Sequence, residues 1–297
     1  MAKTIIFGNQ KGGVAKTTST FNIATQLSMK GYRVLMIDSD PQASLTIIAG
    51  LVPEDFEENN LSALLYDVDG KIDIHNCIIP LNEDGSLAII PTDISMANGD
   101  LDFVSRPGND KLIKNEINKV ANEYDYVCID CLPSLGIISV NDIAASDYII
   151  GCVEPGYQAM KGIEYYAKVI NRYRNKYMYP TKFLGIIISK IARNNDCKDI
   201  TEVLREEYDV LGEIPLSVEV SKGEIDGVPV SKRKPGHISS LEYSKIADYI
   251  IYNGAISFDE LRNLDIDLWK SAIQSFGKPT LVVNEMQYLS NFILKVA

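Results

Sequence analysis

Several residue types are scarce in this chain. Its 297 residues include five cysteines, two histidines and one tryptophan. His75 and His237 are too few and too isolated for a metal or catalytic constellation. Cys128 and Cys131 sit three apart, but the five thiols imply neither a zinc site nor a disulfide framework, and a reduced, cytoplasmic protein is expected. Long hydrophobic runs are missing too. The longest, such as Phe183–Ile188, are strand-sized, so no membrane-spanning helix is expected. The apolar stretch in MAKTIIFGNQ is too short for a secretory signal.

Positive charge is also short overall, with a net charge of −11. The balance is uneven: residues 51–100 carry eleven acids and one lysine, whereas residues 151–200 carry nine basic residues and four acids. An acidic total argues against a chain coated in nucleic acid on every side, but it leaves room for one basic face.

What is present is an alternation of strand and helix signals. TIIFGN, RVLMID, SLAIIPT, YDYVCID, DYIIGCVEP, KFLGIIISK and YDVLGEIP read as short buried strands. Helical patterns fall at about 16–30, 110–124, 159–173 and 196–208 and at SLEYSKIADYIIY. The acidic region 53–82 reads as a surface helix with loops. This order predicts an α/β fold, a doubly wound and mostly parallel sheet with helices on both faces. Ligands of such sheets sit at the carboxyl ends of the strands, where Asn9, Asp38, Asp130 and Glu154 are expected. Residues 1–253 are expected to form the main domain, with 254–297 as a helical appendage packed on it.

NQKGGVAKTT, residues 9–18, lies between the first strand and the first helix. It falls short of G-x-x-x-x-G-K-[ST], because Gln10 and Ala15 stand where the glycines belong. The chemistry still suits a triphosphate. Gly12 and Gly13 allow close backbone approach, and the helix start presents backbone N–H groups. Lys16 reaches the β- and γ-phosphates, and Thr17 supplies a hydroxyl for Mg²⁺. Asp38, Asp40 and Asp130, expected at one sheet edge, suit the orientation of Mg²⁺-bound waters and of an attacking water.

These motifs together resemble the ParA/Soj-type partition ATPases of the deviant Walker A (ParA/MinD) class. KGGVAKTT is similar to that family's K-G-G-x-G-K-[ST], IDSDPQ to its VDxDPQ, and VCIDCLPSLG to its IIIDCPPSLG, across residues 3–250. The resemblance implies a P-loop fold, ATP and Mg²⁺ as cofactors, slow ATP hydrolysis, and a homodimer with ATP sandwiched between subunits. Lys11 is then the signature lysine that reaches the partner subunit's phosphates, much as an arginine finger does. It also implies nucleotide contacts from Gly12 to Thr18, including Val14 and Ala15, metal support from Thr17, Asp38, Asp40 and Asp130, and a nucleoside pocket at Pro215 and Ser217.

The same resemblance implies non-specific double-stranded DNA as a partner, with Lys182, Lys190, Arg193, Lys198, Lys232, Arg233 and Lys234 as candidate contacts. It further implies nucleoid association and a ParB-like protein that stimulates hydrolysis. There are departures from the family pattern. Ala15 replaces a glycine, Leu132 a proline, and Glu219 an arginine that contributes to DNA binding in relatives. Two alternatives stay open: a MinD-like ATPase docking on a membrane through a C-terminal helix, and an ATP-driven dimer switch that acts on a protein without DNA. The tail MQYLSNFILKVA carries one lysine, so no membrane partner is expected.

Overall fold

A computed structural model describes residues 1–134 and 136–255. The strands are β1 (Lys3–Gly8), β2 (Val34–Asp38), β3 (Ile79–Pro80), β4 (Leu87–Ile90), β5 (Tyr126–Asp130), β6 (Tyr148–Val153), β7 (Lys182–Ile191) and β8 (Val210–Pro215). They form one eight-stranded sheet in the order β3-β4-β2-β5-β1-β6-β7-β8. Every pairing is parallel except β3 with β4.

The longer helices are α1 (Lys16–Met29), α2 (Leu112–Val120), α3 (Ile137–Ala145), α4 (Tyr157–Tyr177), α5 (Asn195–Glu207), α6 (Val218–Asp226) and α7 (Ile238–Ala255). All residues of β2, β4 and β5 are buried, as is all of β1 beyond its first residue. A strand with no exposed position has both faces covered, which is why these segments read as unbroken apolar runs. α1 packs over β1, β2 and β5, α3 over β1, α4 over β6 and α5 over β7.

The expected α/β architecture is what the chain adopts. The acidic region differs in detail. It holds short helical turns at Pro53–Phe56, Leu61–Tyr66 and Ile74–Cys77 and adds the two-residue antiparallel strand β3. α6 lies outside the expected helical patterns. The compact unit containing the sheet runs Met1–Tyr249. The expected helices of 254–297 lie, apart from the end of α7, outside the described residues. All five cysteines are buried and free.

Close packing brings α4 onto the sheet beside the Gly-rich loop. A Cβ on Gly8 would stand 1.9 Å from the Tyr166 hydroxyl, so β1 ends in the one residue that fits. Tyr166 is itself buried, 3 % exposed, between β1 and the strand-end cysteine Cys131.

Candidate functional site: a loop and three strand ends

Parallel strands deliver their last residues to one edge. Asp38 ends β2, Asp130 ends β5, and the two are register partners on adjacent strands. Asn9 follows β1, and its side chain spans two elements. Nδ2 donates to the Cys152 carbonyl of β6 at 2.7 Å, and Oδ1 accepts from the Lys11 backbone N–H at 3.0 Å. The loop therefore leaves the sheet fixed at both of its neighbours.

Gly13 takes φ 76° and Ala15 φ 64°. The alanine adopts the left-handed conformation a glycine there would adopt freely, at a cost of about 1 kcal/mol, so the departure from the family pattern changes the residue but keeps the turn. Lys16 opens α1 and is buried at 7 % exposure, with its ammonium 3.4 Å from the Lys11 carbonyl. Thr18 donates its hydroxyl to Glu224 of α6.

The carboxylates have distinct surroundings. Asp38 Oδ2 accepts from both the N–H and the hydroxyl of Thr46 at 2.8 Å, and its Oδ1 accepts from Asp40 N–H at 3.3 Å. Asp38 thus shapes the turn that carries Asp40. Asp40 is half-buried and caps the same turn through Gln42 N–H. Asp130 is 1 % exposed, and its Oδ1 is buried with no partner among the described residues. Ser39 donates toward the Asp130 carbonyl at 2.9 Å and lies 3.0 Å from Asp142 Oδ2 on α3.

An orphaned carboxylate oxygen beside a lysine and a threonine hydroxyl fits a hard divalent cation held by oxygen, such as Mg²⁺. Among the described residues no three acid, histidine or cysteine side chains gather as a closed metal cage.

Burial pushes Asp130 up to about 8, reinforced by the neighbouring Asp38 charge and opposed by Thr17 and Lys16. Burial likewise pushes Asp38 up to about 7 against its hydrogen bonds from Thr46. Burial also holds Asp142 well above the usual carboxylate range. The adjacent strand-end pair titrates as a unit.

The consequence for stability has a definite sign. An aspartate raised on folding binds its proton more tightly in the folded chain than in the unfolded one. Between pH 3.8 and about 8 the folded state therefore carries more protons, and the stability of the nucleotide-free protein falls as pH rises through that window. The loss should be on the order of a few kcal/mol between pH 5 and 8, with Asp130→Asn flattening the slope. Thermal melts across the pH range check this, and a melting temperature that holds or rises over the window would contradict it.

At the far side of the edge, Leu216 N–H donates to the Ile191 carbonyl, which ties the end of β8 to the end of β7. Pro215 closes β8, and Ser217 caps α6 through Glu219 N–H at 3.2 Å. His237, which the sequence left isolated, lies 3.3 Å from the Ser217 hydroxyl. Its Nδ1 accepts from Ser239 N–H at 3.2 Å, which assigns the neutral ring's proton to Nε2, facing Ser217.

The candidate DNA-contact residues are spread over β7, the turn after it, α5 and the segment following α6. Lys182 and Lys190 start and nearly end β7, about 26 Å apart at the usual strand rise. Arg233 is held by Glu219 at 3.6 Å and by Asp226, so the carboxylate at 219 meets an internal partner. Lys190 turns onto the loop and donates to the Gly13 carbonyl at 2.7 Å. Arg193, Lys198, Lys232 and Lys234 remain exposed.

The parallel sheet with a Gly-rich loop running from its β1 into α1 defines a P-loop nucleotide-binding fold. Residues 2–182 match a family model described as an AAA domain. An uncharacterized protein of Methanocaldococcus jannaschii is 34% identical over 256 residues, covering 84% of this chain and 98% of that one. The sporulation initiation inhibitor protein Soj of Bacillus subtilis strain 168 is 30% identical over 258 residues, covering 86% and 100%. A plasmid partition protein of Borrelia burgdorferi B31, solved bound to AMPPNP, has a TM-score of 0.73 at 27% identity, covering 85% and 100%. The chain belongs to the ParA/Soj family of the ParA/MinD superfamily.

Proposed function

We propose that this protein is a partition-type ATPase that binds ATP and Mg²⁺ at the loop from Lys11 to Thr18. The observation that carries the proposal is the buried Lys16 at the start of α1, whose charge acts on Asp130, an aspartate with one buried oxygen lacking a partner among the described residues. Similarity to Soj and to a partition protein solved with AMPPNP supports it.

On this reading Gly12, Gly13, Val14, Ala15 and Thr18 line the phosphates, and Pro215 and Ser217 face the nucleoside. Thr17, Asp40 and Asp130 would hold and orient Mg²⁺ and its waters, with Asp38 setting the turn behind them. Bound there, Mg²⁺ supplies neutralisation of phosphate charge. Lys11 serves the partner subunit's nucleotide in an ATP-sandwiched homodimer. Turnover stays slow until a ParB-like partner arrives. No helix among the described residues is long and apolar enough to cross a membrane. The membrane-docking alternative concerns the tail, which lies outside the described residues.

Non-specific duplex DNA is the proposed surface on which the dimer works, with Arg193, Lys198, Lys232 and Lys234 as its contacts. A second reading, a dimer switch that acts on a protein without DNA, is favoured by one observation: Glu219 neutralises Arg233. Binding to duplex DNA with ATP, with ADP and without nucleotide, across a salt series, decides between them. The partition reading expects binding only with ATP. It also expects the binding constant to fall steeply with salt, because each phosphate contact releases counterions. ATP-dependent dimerisation without DNA binding at low salt would leave the protein-switch reading in its place.

A further inference from the structure

β7 has a local fault near the loop. Its pairing with β8 slips between Ile188 and Ile191, and Lys190, inside the slip, takes φ 56°. Glycine reaches that backbone freely and lysine does not, and such outliers persist where surrounding contacts over-determine them. Slips of this kind re-aim a side chain. Here the re-aimed ammonium donates to the Gly13 carbonyl at 2.7 Å, a contact between residues 177 apart in the chain.

Peptide geometry supplies the consequence. The Gly13 carbonyl and the Val14 N–H belong to one planar trans peptide and point in opposite directions. Gly13 has φ 76°, and a Cβ there would meet nothing within 4 Å, so the Gly13 end of this peptide has no packing of its own, whereas the Val14 end is anchored by a buried side chain. The Lys190 bond fixes the carbonyl at the Gly13 end.

We propose that Lys190 is a positioning residue of the nucleotide site. It holds the Gly13 carbonyl on its own side and thereby presents the Val14 N–H to the phosphates. A nest of backbone donors binds an anion in proportion to the fraction of time it is formed, so a peptide free to flip would weaken binding. This inference rests on the loop being a triphosphate site, and it takes Lys190 out of the DNA-contact set.

The test uses the full chain and a fluorescent ATP analogue, with no DNA present. Lys190→Gly keeps the left-handed backbone without strain and removes the ammonium. Lys190→Met removes the charge at similar length, Lys190→Arg keeps it, and Lys16→Ala reports on the triphosphate reading itself. Lys190→Gly and Lys190→Met should bind the analogue about tenfold more weakly than the native chain, while Lys190→Arg recovers most of the affinity. Lys190→Gly should also melt no earlier than the native chain without nucleotide. If Gly and Met variants bind as the native chain does while Lys16→Ala does not, the inference falls and the triphosphate reading stands. If the folded native chain itself binds no analogue, both fall. Unchanged nucleotide affinity of the Gly and Met variants here, with reduced duplex binding when the same variants are run in the separate DNA salt series, returns Lys190 to the DNA surface and overturns the proposal.

Discussion

Lys16→Ala should abolish measurable ATP binding while leaving the melting temperature of the nucleotide-free chain nearly unchanged. The side chain is buried, yet among the described residues its ammonium makes one hydrogen bond, a long 3.4 Å contact with the Lys11 carbonyl. Little of the empty protein's stability depends on that bond. A triphosphate arriving in the loop would give the ammonium charge-assisted hydrogen bonds to two phosphate groups. Such bonds contribute roughly 1.5–3 kcal/mol each, so losing both should weaken binding by about a hundredfold or more. The loss also removes the cation that restrains Asp130, leaving the strand-end pair more firmly protonated and less able to orient a hydrated Mg²⁺. Isothermal titration calorimetry with ATP·Mg²⁺ gives the answer directly. A variant binding within threefold of the native chain would mean the loop is not the phosphate site.

Lys11→Ala should do the opposite: bind ATP within about threefold of the native chain, yet lose dimer formation by about a hundredfold. The loop contribution of this residue comes from its backbone, which alanine keeps, since Lys11 N–H donates to Asn9 Oδ1. Its stem passes the amino end of α4, where a Cβ on Gly162 would stand 3.9 Å from the Lys11 Cβ. Positive charge at the mouth of a loop can serve phosphates held by a second subunit, and that is the service the alanine variant lacks. Sedimentation velocity with a non-hydrolysable ATP analogue separates the two properties. A variant that still dimerises with the analogue would remove Lys11 from the intersubunit role.

Much of this architecture is legible in the sequence because the strands are buried on both faces. Ile5, Ile6 and Phe7, or Val127, Cys128 and Ile129, have no polar interruption; the first run leads through Gly8 to Asn9 and the second directly into Asp130. β3 is not legible. It is two residues long and includes a proline, and it exists only because β4 offers it an antiparallel edge. α6 escapes for a different reason: Gly223 is its one buried residue, so it shows no apolar stripe, although Ser217 caps its start and Gly227, at φ 67°, ends it. The site divides in the same way. The loop and the aspartates announce themselves by local spacing. Lys190 on Gly13, His237 beside Ser217, and Asp142 against Ser39 are joined only by the folded sheet. Nothing local to Lys190 distinguishes it from a surface lysine, so the family resemblance and its charge grouped it with the candidate DNA contacts.

The buried cysteines have a practical consequence for anyone who wants to watch this molecule work. Burial pushes the thiols of Cys77, Cys128 and Cys152 up to between about 11 and 12, and Cys131 higher still. A thiol held so far from thiolate, and closed off from solvent, reacts slowly with maleimides at neutral pH. Cys197 is buried as well. A single cysteine engineered on the surface, near Lys232 for instance, would take up a dye against a silent native background. Distances across the opening and closing of a dimer could then be followed in the otherwise unmodified chain.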